Sequence, residues 1–187
     1  MKLFRFFILS VAAVAAGTTN AQTPRPPAAA STTTAQTPSP PSVAGDLAAA
    51  QEIRGLVERW TKAFSAKDVD SVMELYTDDV VAYDVVPPLQ YVGKAAYRGD
   101  YQQFFSQFDS DIHVEMRDLH VGASGEFGYA MGLQRISGTL KHGQKSEMWV
   151  RFTSLYRKVN GKWLDFHDHA SVPVEIQSGK ALLDLKP

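Results

Sequence analysis

The chain has 187 residues, 19 of them Lys or Arg, 20 Asp or Glu and none Cys, and its charge is unevenly placed. No acidic residue precedes Asp46, whereas Lys2, Arg5 and Arg25 do; 19 less those three leaves 16 basic against 20 acidic residues from Asp46 onward, a net charge of −4. A mildly acidic domain without a Lys/Arg stripe lacks the electrostatic footprint that nucleic acid or an anionic membrane surface requires, so neither partner is expected. With no disulfides possible, stability must come from the core, which one domain of this length can supply.

Residues 1–21 read as a secretory signal peptide. Lys2 and Arg5 precede an apolar run from Phe6 to Ala16, and Thr19-Asn20-Ala21 offers small residues for cleavage. The alternative, an uncleaved anchor, is disfavoured because the run falls well short of the roughly 20 apolar residues that a spanning helix needs. A periplasmic or secreted location follows, with no membrane attachment after cleavage. Residues 22–45 are Pro, Ala, Thr and Ser with almost nothing to bury, which predicts a disordered linker.

The folded domain is expected over 46–187. Asp46 is suited to cap a helix reaching about Ala66, in which Leu47, Ile53, Leu56, Val57, Trp60 and Phe64 form one apolar stripe. Lys67-Asp68 begins a second short helix through Val72, Met73, Leu75 and Tyr76, ending at Asp78-Asp79. The β-branched run Val80–Val86 follows as a strand that Pro87-Pro88 stops. Gly93 opens a third helical stretch bearing Tyr97, Tyr101, Phe104, Phe105 and Phe108. After Asp109 the period changes to two, which predicts strands near Ile112–Val121, Phe127–Leu140, Ser146–Val159 and Trp163–Val172. Asn160-Gly161 joins the last two as a tight hairpin, because both residues tolerate positive φ. Helices first and long strands afterwards indicate an α+β fold, a curved antiparallel sheet wrapped over three helices.

Three stretches of this text carry a resemblance: Trp60–Asp68 leading to Leu75-Tyr-Thr-Asp-Asp79, Tyr91-Val-Gly-Lys-Ala95, and Asn160-Gly-Lys-Trp163 followed by His167-Asp-His-Ala-Ser171. Together they resemble the nuclear transport factor 2-like superfamily and, within it, the SnoaL-like and ketosteroid-isomerase-like domains. The last stretch also resembles the association domain of calmodulin-dependent kinases. The resemblance implies a cone-shaped fold with a small-molecule pocket; it does not fix the chemistry, since the superfamily holds isomerases, cyclases, hydrolases and oligomerising modules.

Ketosteroid isomerases carry their general base on the first strand, five residues after the acid ending the second helix, and the resemblance places Asp84 there. Their oxyanion hole, a Tyr and a protonated Asp, falls here on Trp60 and at or beside Thr153. Losing one preorganised oxyanion donor typically costs about 3–4 kcal/mol of transition-state stabilisation, which argues against steroid isomerisation.

The densest polar group on the last strand is His167-Asp168-His169. Alternation puts His167, His169 and Ser171 on one face, and Phe166, Asp168 and Ala170 on the other. A regular hairpin pairs Ser154 with His167 and Thr153 with Asp168, and one bulge would swap these pairs. Two His at i,i+2 could bind a metal, but no third ligand stands at a fixed spacing, and neither metal nor cofactor is expected. The motif is either a hydrogen-bonded fixture of the sheet or a pocket group, with His167 as proton shuttle and Asp168 and His169 as ligand donors. Arg151, between Trp149 and Phe152, either grips an anionic ligand or pairs with Asp168 or Glu147. Tyr83 and Tyr91 belong to an aromatic-rich middle expected to supply core and pocket wall, and Trp149 is a further wall candidate. Two readings remain: a small-molecule site with Asp84 as proton-transfer base, or a non-catalytic binding or oligomerisation module. Both strands Phe127–Leu140 and Ser146–Val159 look too apolar to leave one face in water, so a homodimer is expected.

Overall fold

In a computed structural model of the protein, residues 43–187 are described, with side chains from Asp46 onward. The expected leader, and the linker up to residue 42, lie outside the described residues. Helix α1 spans Val43–Ser65, α2 Val69–Met73 and α3 Lys94–Phe105; the strands are β1 Tyr76–Tyr83, β2 Tyr91–Val92, β3 His113–Ser124, β4 Phe127–Thr139, β5 Lys145–Val159 and β6 Lys162–Ser171, followed by a small hairpin of β7 Val174–Glu175 and β8 Lys180–Ala181.

The apolar stripe of α1 is buried through Ala49, Ile53, Leu56, Val57 and Phe64, but Leu47 is 68% exposed. Leu47 stands six residues before Ile53; at about 100° per residue that rotates it to the far side of the helix. Because the helix begins upstream of Asp46, that carboxylate does not cap it and instead accepts from the Gly125 backbone N–H at 3.4 Å, in the β3–β4 turn. Asp68 does cap α2, accepting from Ser71 N–H at 3.1 Å.

The second helix ends five residues earlier than the sequence predicts, and Tyr76 enters a strand instead. The cause is long-range: β1 lies beside the last long strand, with Ala82 opposite Asp168 and Tyr83 opposite His169. That pairing is parallel, so the sheet is mixed rather than wholly antiparallel, with order β2-β1-β6-β5-β4-β3. It covers an edge of β6 that would otherwise present unpaired backbone groups. The sheet is open, ending at β2 and β3. The Asn160-Gly161 turn forms as expected, with φ of 52° and 78°, and Val159 pairs with Lys162.

Two apolar clusters fill the space between helices and sheet. One gathers Phe64, Val72, Met73, Tyr76, Tyr97, Tyr101, Phe105 and Phe108 around α3. The other packs the first half of α1 through Ala49, Ile53, Leu56 and Val57 onto Ala130, Phe152, Tyr156 and Trp163 of the sheet. The cavity described next is lined by members of both.

Candidate functional site

Alternation along each strand divides the sheet into an inner and an outer face. On β5 the inner positions are Met148, Val150, Phe152, Ser154 and Tyr156, and on β4 they include Gln134 and Ile136; all of these line a cavity of about 400 Å³ between sheet and helices. Its remaining walls come from Trp60 and Phe64 of α1, Tyr97, Asp100, Tyr101 and Phe104 of α3, Tyr76 of β1, and Asp84 just beyond β1.

The β5–β6 ladder is not regular. Leu155 pairs with His167 but Tyr156 pairs with Asp165, which leaves Phe166 as the extra residue of a bulge. The pairs are therefore Ser154 with Asp168 and Thr153 with His169. One extra residue also changes which side chains share a face, so Asp165 and Asp168 both line the cavity while His167 does not.

Asp168 sits at the centre of a hydroxyl cluster. Its Oδ2 accepts from Tyr76 at 3.0 Å and from Tyr97 at 2.9 Å, and its Oδ1 accepts from Ser154 at 2.9 Å. The chain continues outward, since Tyr101 lies 2.8 Å from the Tyr76 hydroxyl and takes the Trp60 indole N–H at 2.9 Å. Tyr76 spends its single proton on Asp168, so Tyr101 is the donor to Tyr76. Burial first, and then the charge of Asp168, pushes the phenols of Tyr76, Tyr97 and Tyr101 well above their ordinary range and keeps them protonated as donors. Asp165 is only 4% exposed and accepts from the His167 backbone N–H at 3.0 Å. Burial and the neighbouring Asp168 push its carboxyl well above the carboxylate range.

A second carboxyl pair stands nearer α3. Burial chiefly, with Asp100 and more weakly Asp168, pushes Asp84 up to about 7 against the opposing hydrogen bond from the Val85 N–H. Burial also raises Asp100, and hydrogen bonds from Tyr91 and Asp84 oppose that rise. Tyr91 reaches Asp100 Oδ1 and the Pro87 carbonyl, each at 2.8 Å, and is itself raised to about 12 by burial and Asp100. A carboxyl titrating near neutrality in a mostly apolar cavity is suited to accept or donate a proton at ordinary pH.

Of the site residues predicted from sequence, Trp60, Asp84 and Asp168 line the cavity, and Tyr91 reaches it through Asp100. The other six do not line it. His167 is a correction: its Nδ1–H donates to the Val81 carbonyl at 2.9 Å and its ring meets Tyr83 edge-on at 4.8 Å, so it staples β6 to β1 on the outer face. Tyr83 also meets His169 at 5.9 Å there. Thr153 and the exposed Arg151 occupy outer positions of β5. Arg151 pairs with neither Asp168, which faces inward, nor Glu147, whose partners are Arg135 and Lys186. Trp149 lies under the Arg117 guanidinium, 5.2 Å from its ring centroid. Among the described residues no group of three or more His, Asp or Glu side chains is placed to hold a metal.

Sequence reasoning missed Tyr76, Asp100, Gln134 and Asp165 as site groups. It placed Tyr97 and Tyr101 in an aromatic group expected to supply both core and pocket wall, without a polar role, and used Ser154 only as a register marker. Tyr97, Asp100 and Tyr101 at i, i+3 and i+4 on one helix could have signalled a polar face. Asp165 could have been found as well, since the regular register from the Asn160-Gly161 turn already pairs it with Tyr156, an inner position of β5.

The chain matches the SnoaL-like domain family over residues 53–175. Among solved structures it is similar to an NTF2-like protein of unknown function from Pseudomonas putida KT2440, with 34% identity and a TM-score of 0.70, covering 75% of this chain and 98% of that one. It is also similar in fold to a nuclear transport factor 2 (NTF2-like) superfamily protein from Salmonella enterica serovar Typhimurium LT2, at 16% identity and a TM-score of 0.63 over 73% of this chain and 99% of that one. A ketosteroid isomerase-like protein from Erwinia carotovora atroseptica SCRI1043 gives 22% identity and a TM-score of 0.57 over 65% and 94%. No curated protein matches the chain. A family match that spans most of the described residues, together with three helices laid on one face of a curved six-stranded sheet, shows that this chain belongs to the SnoaL-like domain family of the NTF2-like fold.

Proposed function

We propose that the domain binds a small, partly apolar organic ligand in the inner cavity and that Asp84 moves a proton on it, in isomerase- or cyclase-like chemistry. The observation that carries this reading is the placement of Asp84 in an aromatic cavity, with Asp100 beside it and its carboxyl raised to about 7. A base near neutrality is present in its reactive form without being too weak to act. The likeness to the ketosteroid isomerase-like protein supports the fold alone, so the chemistry rests on Asp84 and its neighbours.

The second reading, a binding or oligomerisation module without turnover, is favoured by one observation. The positions that the resemblance gives the isomerase oxyanion donors hold Trp60, whose N–H is spent on Tyr101, and either Thr153 on the outer face or its neighbour Ser154, whose hydroxyl is spent on Asp168. Native mass spectrometry of the purified protein, followed by mass analysis of whatever denaturation releases, identifies the ligand class. Asp84→Asn then separates the two readings: turnover of the released compound falls by orders of magnitude if Asp84 is the base, while a binding module shows no turnover to lose.

We also propose that the protein acts outside the cytoplasm after loss of its leader, and that two copies pair through the outer face of the sheet. Support for pairing comes from Tyr83, Phe127, Tyr129 and Met131, each at least 40% exposed.

A further inference from the structure

Among the described residues that line the cavity there is no Lys, Arg or His, yet four carboxyl groups face into it: Asp84, Asp100, Asp165 and Asp168. The cationic side chains are engaged elsewhere, as in Lys94–Asp78, Arg98–Asp70, Arg157–Asp79 and the Arg135–Glu115–Arg117 cluster, all with partly exposed members. Asp165 takes the His167 backbone N–H, and Asp168 is served by three hydroxyl donors. Asp84 and Asp100 are different, because each has a single donor from outside the pair, the Val85 N–H and the Tyr91 hydroxyl, and the pair has no counter-charge. Buried carboxylates ordinarily have one.

The opposite wall supplies an independent sign of a missing molecule. Gln134 is 5% exposed and lines the cavity from β4, and its Nε2 has no hydrogen-bond partner among the described residues. Leaving a buried amide donor unpaired is costly, so a native fold that keeps one there is expected to pair it with something. An amide N–H calls for an oxygen or nitrogen acceptor on the occupant.

We infer that the occupant is a small organic cation, a protonated amine on an aromatic or alicyclic skeleton, with its ammonium between Asp84 and Asp100 and an oxygen acceptor turned to Gln134. The ammonium supplies the counter-charge that the two carboxyls lack. The faces of Trp60, Tyr97, Tyr101 and Phe104 surround the skeleton and add cation–π attraction. A carboxylate or phosphate ligand meets the reverse situation, with carboxyl groups and no cation to receive it. This inference rests on the reading of the cavity as a ligand site and names the ligand's charge.

The test uses one skeleton with three head groups: 4-(4-methoxyphenyl)butan-1-amine, the matching butan-1-ol and the matching butanoate, titrated calorimetrically into the full domain at neutral pH. The amine is expected to bind at least about tenfold more tightly than the alcohol, and the butanoate most weakly. In Asp84→Asn and Asp100→Asn the advantage of amine over alcohol should shrink to about threefold or less while the alcohol still binds, which shows that each variant keeps its cavity. Gln134→Leu should weaken the methoxy-bearing amine but not 4-phenylbutan-1-amine, which has no ether oxygen. Alcohol or butanoate binding as tightly as the amine overturns the cationic assignment and leaves the cavity standing as a ligand site. Absence of binding by all three overturns the ligand-site reading and this inference with it.

Discussion

Ser154 stands opposite Asp168 across the β5–β6 ladder, and its hydroxyl donates to Asp168 Oδ1 at 2.9 Å. That relationship exists only because Phe166 bulges out of the ladder, and it commits the aspartate to the inner face, where Tyr76 and Tyr97 complete its shell. Hydrogen bonds to a charged group are each worth about 1.5–3 kcal/mol. Ser154→Ala and Tyr97→Phe should therefore each lower unfolding free energy by about that amount in urea titrations. The double variant should lose less than the sum, because the two donors share one acceptor. Strict additivity would show that Asp168 does not couple them.

Asp84 binds its proton more tightly in the folded chain than in the unfolded one, since its folded pKa is raised from 3.8 to about 7. Folding stability from this group is thus fully present below pH 3.8 and is lost as pH rises toward and through 7. Asp84→Asn removes the loss. The variant should gain stability relative to the parent as pH increases from 4 to 8, by about 2 kcal/mol after allowance for partial solvent exposure. A stability difference that is flat across this range in chemical denaturation would contradict the assignment.

Pairing through the outer face should make the 46–187 fragment a dimer by light scattering at micromolar concentration. Met131 is 43% exposed on β4, and Met131→Asp should give the monomer mass with unchanged circular dichroism. A monomeric parent would remove the proposal.

Gly132 lies where β3 shifts its register between Arg117 and His120, and a Cβ there would sit 2.8 Å from the Arg117 carbonyl and 3.1 Å from that of Asp118. Both neighbours are backbone and cannot swing away. Gly132→Ala should cost about 1–3 kcal/mol, read as a lower urea midpoint with an unchanged slope.

The proposed leader, residues 1–21, lies outside the described residues, and its removal is open to direct measurement. Protein recovered from the exported fraction of its native host should have an intact mass beginning at or near Gln22. A full-length mass in that fraction would reject cleavage.

Local order was legible in the text of the chain. The stripe Ile53, Leu56, Val57 and Phe64, the four long period-two strands and the Asn160-Gly161 turn all depend on neighbours within a few residues, and a sequence displays those neighbours directly. The resemblance placed Asp84 on the first strand; it stands just beyond β1, where burial raises its carboxyl to about 7. What lay beyond reading was decided by partners far apart in the chain. Tyr76 left its expected helix because β1 found β6, about ninety residues on, and ran parallel to it. One bulged residue, Phe166, then turned Asp168 to the inner face that Asp165 already occupies and fixed His167 to the Val81 carbonyl on the outer face. Strand alternation has period two, so a single extra residue exchanges faces for everything beyond it, and no local pattern announces where the extra residue will fall.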